Sequence, residues 1–252
     1  MIFRWLKKRK RRQLAAHPFP HAWEDYLYTN VPRFAELNPL AQDEIQNAIK
    51  ISIAEKNWEG CGGLQMTDEI KVTISAQIAI FALGLGGEQF DRVLSILVYP
   101  SAYLAEENAP LSGNITLRRK AARAGEAWHR GPVVLNWEDV LADSLGRRPG
   151  HNLVIHEFAH QLDMLNGGEC DGVPQLPGRL VGPWVDQLES EYERLCEACR
   201  FGGATAFDCY GTTNHAEFFA VASEAFFENS EAFEDYHPEL FQLFREFYYQ
   251  RF

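Results

Sequence analysis

The chain reads as an α+β protein, one mostly helical domain carrying a small sheet. Two observations predict this: helical periodicity dominates both ends of the 252-residue chain, and its β-rich runs are short and gathered in the middle. A third fits them. The composition, 46% hydrophobic and 13% aromatic, supplies a packed core and excludes a globally disordered chain. No repeat, low-complexity tract or long linker divides the sequence, so one domain is expected over residues 23–252, behind a basic tail and entry segment over residues 1–22.

Residues 1–12, MIFRWLKKRKRR, hold seven Lys/Arg and no acid, so with a total of −11 the other 240 residues carry −18. The basic stretch reads as a solvated tail, and HPFPHA at 17–22 as the entry to the fold. A body this acidic is a poor binder of nucleic-acid backbone, so no direct nucleic-acid partner is expected. No apolar run follows the charges as in a secretory signal, and none reaches the roughly 18 residues that span a bilayer. The odd cysteine count, five, favours reduced thiols and the cytoplasm.

The first helical spacing covers residues 39–58 and stops at GCGGL, 60–64. Thr67 can cap the next helix, TDEIKVTISAQIAIFALGL, which is apolar on most faces and therefore expected to be buried. GLGGEQF at 84–90 lacks the spacing of a phosphate loop and reads as the turn ending that helix. Three strands are expected: VLSILVY (93–99), GNITLRRK (113–120) and PVVLNW (132–137). A helix around residues 152–163, a loop rich in Gly and Pro (167–183) and helices over 184–200, 214–228 and 239–250 complete the order. Cys196 and Cys199 form a CxxC inside one of these helices and read as ordinary helix cysteines. Cys209 is near enough in sequence to make a second metal or redox site conceivable.

The stretch HNLVIHEFAHQLD (151–163) carries the chemistry. Residues i and i+4 of a helix share a face, so His156 and His160 can aim ring nitrogens at one zinc ion. Glu157 lies one step round the helix, beside that point, where it can take a proton from water without being a ligand. Between Asn152 and Leu162 it is the lone charge, which marks a buried helix whose polar groups need partners. A catalytic zinc wants a third protein ligand. The HExxHxxGxxH route fails, because position 163 is Asp and position 166 is Asn. Asp163 sits about 10 Å along the axis from His156, which suits a carboxylate that receives a ring N–H from a ligand histidine. Glu217 and Glu224, seven residues apart on one apolar helix face, are the better sources of the ligand, and the pattern leaves the choice between them open.

The sequence resembles the Mlc titration factor A family of zinc metallopeptidases, which is related to the catalytic domain of anthrax lethal factor. The likeness runs through MTDEIKVTISAQ (66–77), ILVYPS (96–101), GPVVLNW (131–137), HEFAHQLD (156–163), AEFFAVASEAFF (216–227) and ELFQLFREFYYQ (239–250). It implies a zincin-like domain of gluzincin type, built on the HExxH helix. His156, His160 and Glu217 would hold one zinc ion, and Glu157 would act as general base. Glu224 would then stand behind the ligands, with Asp163. Tyr210, seven residues before Glu217, would assist by donating to the oxyanion. The implied activity is peptide hydrolysis of aminopeptidase type on a peptide or protein substrate, with PVVLN as a strand that could pair with it. Family members also bind the repressor Mlc and relieve repression of glucose phosphotransferase genes, which makes such a repressor a candidate partner. A repressor-sequestering protein with a vestigial metal site is the rival expectation.

Overall fold

The computed structural model describes residues 2–86, 88–101, 131–167 and 169–249. Helix α1 (Ile2–Ala16) leads to α2 (His21–Asn30), a 3-10 turn (Pro32–Glu36) and α3 (Pro39–Glu55). Strand β1 (Asn57–Gly60), helix α4 (Asp68–Ala82) and strand β2 (Ser95–Tyr99) form a β-α-β unit. Strand β3 (Val133–Asn136) runs directly into α5 (Trp137–Ser144), followed by α6 (Leu153–Asp163) and α7 (Gly178–Phe201). A 3-10 turn (Cys209–Thr213), α8 (His215–Glu228), α9 (Ser230–Tyr236) and α10 (Pro238–Tyr248) complete the chain. Among the described residues no helix is long and apolar enough to cross a membrane.

The three strands are all parallel, in the order β1-β2-β3, with Trp58 opposite Ile96 and Ile96 opposite Val133. Alternate residues of β2, Ile96 and Val98, and all of β3 are buried beneath the helices. Local chemistry sets where the helices start. Asn38, Thr67, Asn136, Asn152 and Asn214 each accept a backbone N–H from three residues on, closing the first turns of α3, α4, α5, α6 and α8. These caps fix the phase at which α6 and α8 present their polar residues.

The main core gathers Val154, Phe158 and Leu162 of α6, Phe218, Phe219 and Ala222 of α8, and Phe244 and Phe247 of α10 against the sheet. Trp184 of α7 is fully buried and stacks on Phe244 at 4.9 Å. A smaller cluster joins α2, α3 and α4 through Leu27, Phe34, Ile45, Ile49, Val72 and Ala76. Helix α4 contributes to both clusters, which is why it is apolar on nearly every face.

Several expectations need correction. The basic segment is not simply a solvated tail, since Arg11 of α1 donates to Glu55 at 2.6 Å and to Asp91, and Lys7 pairs with Asp91 at 2.8 Å. Residues 57–58, read as the end of a helix, open β1. Trp137 belongs to α5, and α7 begins at Gly178 rather than Trp184, with Pro183 inside it. The strand expected at 113–120 lies outside the described residues. The cysteines are not all reduced, because the turn before α8 brings Cys209 against the end of α7, where it forms a disulfide with Cys199. That pairing removes Cys209 and Cys199 from any second metal site.

Candidate metal centre

Helix α6 turns Val154, Ile155, Phe158, Ala159 and Leu162 into the core and keeps His156, Glu157 and His160 on the other side. They line a cleft of about 290 Å³ shared with Tyr210, Glu217 and Glu224. Helix α8 lies across α6 and delivers Glu217 and Glu224 there, although both are almost wholly buried. The fit is specific. Glu217 Oε2 is 3.1 Å from His156 Nε2 and 3.4 Å from His160 Nε2. One ligand atom from each of these three residues falls within a 4.8 Å circle, and this is the arrangement that could hold a metal ion among the described residues.

Glu224, two turns along α8, does something different. Its Oε1 meets His156 Nδ1 at 2.7 Å, and its Oε2 accepts the backbone N–H of Asn152 at 2.6 Å. The carboxylate thereby joins the start of α6 to the far side of the His156 ring, and orients Nε2 toward Glu217. Asp143 supports the same helix start. It is buried, accepts the Leu153 N–H at 2.9 Å, and is gripped by Arg148 at 2.6 and 2.7 Å.

Asp163 is fully buried, but its Oδ2 accepts the Gly172 N–H at 2.8 Å rather than a histidine N–H. Asp163 follows His160 by three residues and is turned toward the core side of α6. The group beside His160 Nδ1 is the Cys170 sulfur, at 3.6 Å. Tyr210 sits in the turn after Asp208, its hydroxyl 3.4 Å from Glu217 Oε1 and its ring 6.0 Å from that of His156. The Cys199–Cys209 disulfide and the bond from the Tyr192 hydroxyl to Thr212 O (2.9 Å) tie that turn to α7.

The electrostatics suit a cation. Burial opposes ionisation of Glu217, yet the hydrogen bonds and charges of His156 and His160 outweigh it and hold its carboxyl well below the ordinary range. Burial likewise opposes a charge on His156, but Glu217 and Glu224 outweigh it and raise its proton affinity. Burial raises Glu157, with the neighbouring carboxylates adding to it against the two imidazoles. Burial also raises Asp163, to about 6. A buried carboxylate oxygen facing two imidazole nitrogens is a donor set that fits a divalent metal such as zinc.

Sequence reasoning singled out His156, Glu157, His160, Tyr210, Glu217 and Glu224, and the fold brings all six to one cleft. It missed Cys170, Asp143 and Arg148. A loop sulfur returning over a helix end leaves no periodic signal.

The profile of the family described as glucose-regulated metallo-peptidase M90 matches residues 5–249. The chain is 36% identical over 246 residues to an uncharacterised protein of Synechocystis, covering 97% of this chain and 89% of that protein. It is 35% identical over 233 residues to Mlc titration factor A of Serratia proteamaculans, covering 90% of this chain and 86% of the relative. To Mlc titration factor A of Yersinia pestis it is 33% identical over 230 residues, covering 90% and 84%. Matched along nearly its whole length, and with a His-His-Glu cluster buried in its cleft, the chain belongs to the M90 family of metallopeptidases.

Proposed function

We propose that the protein is a zinc-dependent peptidase of the HExxH-plus-glutamate type, with residues 23–252 as the peptidase unit. One observation carries this reading: His156 and His160 of α6 and Glu217 of α8, sixty-one residues after His156, converge on a single point. When bound there by these three residues, zinc supplies Lewis acidity and positive charge. Glu157 takes a proton from the attacking water and passes it to the leaving amine. The Tyr210 hydroxyl donates to the oxygen of the scissile carbonyl as negative charge grows on it. Glu224 keeps the His156 ring in register. Cleavage next to the peptide's amino end, as in an aminopeptidase, is the specificity we favour.

The names of the Serratia and Yersinia relatives support a second reading, capture of an Mlc-type transcriptional repressor, with the cytoplasm as its setting. Both roles can reside in one chain. Glu157→Gln separates them. It should retain zinc and fold while peptide hydrolysis falls by about 10² to 10⁴, and repressor capture, if present, should survive. Undiminished hydrolysis by this variant would remove Glu157 from the mechanism. Loss of capture together with hydrolysis would argue against an independent binding role.

A further inference from the structure

The two histidines of α6 have unlike partners behind them. His156 Nδ1 meets the carboxylate of Glu224 directly. His160 Nδ1 meets no carboxylate; the Cys170 sulfur stands 3.6 Å away. Beyond that sulfur lies Asp163, fully buried, with Oδ2 engaged by Gly172. Its Oδ1 is buried without a hydrogen-bond partner, and Cys170 is the side chain whose thiol interacts with this carboxylate.

We propose that Cys170 is a positioning residue for His160, its sulfur accepting the Nδ1–H of the ring while its S–H is turned to the Asp163 carboxylate. The inference rests on the reading of His160 as a zinc ligand through Nε2. That ligation requires the ring proton on Nδ1, and a partner for this proton fixes both tautomer and ring orientation. A thiol can accept and donate at once, though weakly in each role. It therefore bridges a ring N–H and a buried carboxylate that do not reach one another.

The loop bearing Cys170 is held by contacts that do not involve the metal. The Gly172 N–H goes to Asp163, and Gly172 O accepts the indole N–H of the buried Trp184 at 2.9 Å. Gly172 has φ +82°, and a Cβ there would stand 2.6 Å from the carbonyl oxygen of His215, at the start of α8. Only glycine fits that approach without strain. Two residues earlier, Cys170 is therefore presented to His160 by a segment tied to α6, α7 and α8 together. The same ties explain why Asp163 is kept as a buried acid. It anchors the loop through Gly172 and gives the thiol a carboxylate to face.

The test compares zinc affinity, by competition with a chromophoric chelator, in the wild type, Cys170→Ser and Cys170→Val. Serine keeps a group that accepts and donates; valine keeps similar bulk and does neither. Valine should weaken zinc binding about tenfold, the low end for outer partners of ligand histidines, and serine should restore most of it. Thermal unfolding of the zinc-free proteins should be alike, which separates positioning from loss of the fold. Zinc affinity in Cys170→Val equal to the wild type would overturn the inference, as would an equal loss in the serine variant. A wild-type chain that takes up no zinc would overturn the metal-site reading, and this inference with it.

Discussion

Tyr210 reaches the cleft from a turn rather than from either helix, and its hydroxyl lies 3.4 Å from Glu217 Oε1. Its contribution is therefore separable from metal binding. Tyr210→Phe should leave zinc content unchanged and lower kcat by roughly 10²-fold, with little change in KM, as expected for losing one donor to a developing oxyanion. Steady-state kinetics on a short peptide would show it, and unchanged kcat would return Tyr210 to a packing role. The histidine pair was legible at this scale because helical geometry alone places residues four apart on one face. Glu217 and Glu224 were not separable in the same way, since a spacing of seven puts both on that face. What distinguishes them is the crossing of α8 over α6, which gives Glu217 to the Nε2 side and Glu224 to the Nδ1 side. Asp163 was read as a carboxylate receiving a ring N–H from a ligand histidine, but its partner is the Gly172 N–H, on a loop whose return no spacing rule describes.

Helix α1 shows how charge read from sequence can mislead at the scale of an element. Seven basic residues among the first twelve suggest a tail in solvent, yet Lys7 and Arg11 share one face and meet Glu55 and Asp91, which are remote in sequence. Burial would raise the Asp91 carboxyl, but the hydrogen bonds and charges of Lys7 and Arg11 prevail and hold it below its ordinary value. A carboxyl depressed by folding stabilises the fold above its unfolded pKa, about 3.9, and loses that contribution as pH falls through its folded value. The melting temperature of the wild type should therefore exceed that of Asp91→Asn at pH 7, and the difference should shrink below about pH 4. A difference independent of pH would show that the ion pairs do not hold α1. Strand β1 escaped sequence reading for another reason. Asn57-Trp58-Glu59-Gly60 is short, half-exposed and, among the described residues, pairs with β2 alone, so it carries neither an apolar run nor a clean alternation. Its last residue is constrained nonetheless, because a Cβ at Gly60 would collide with the Leu64 carbonyl.

Across the whole molecule, the helices with strong apolar faces were legible, as was their order around a small sheet, because burial of one face dictates periodicity. The parallel arrangement of the strands was not, since it depends on connections rather than on local pattern. The candidate metal centre sits where this architecture closes on itself: α6 from the middle of the chain and α8 from near its end meet in the largest core cluster, which also takes in the sheet and α10. A bound zinc would thus join two distant parts of the chain. Equilibrium zinc binding, read as metal content and affinity in the wild type and in Glu217→Ala, addresses this most directly. The wild type should hold one zinc per chain, and the variant should lose it or bind it far more weakly while His156 and His160 remain. Zinc held by Glu217→Ala at undiminished affinity would contradict the convergence of α6 and α8 on a single ion.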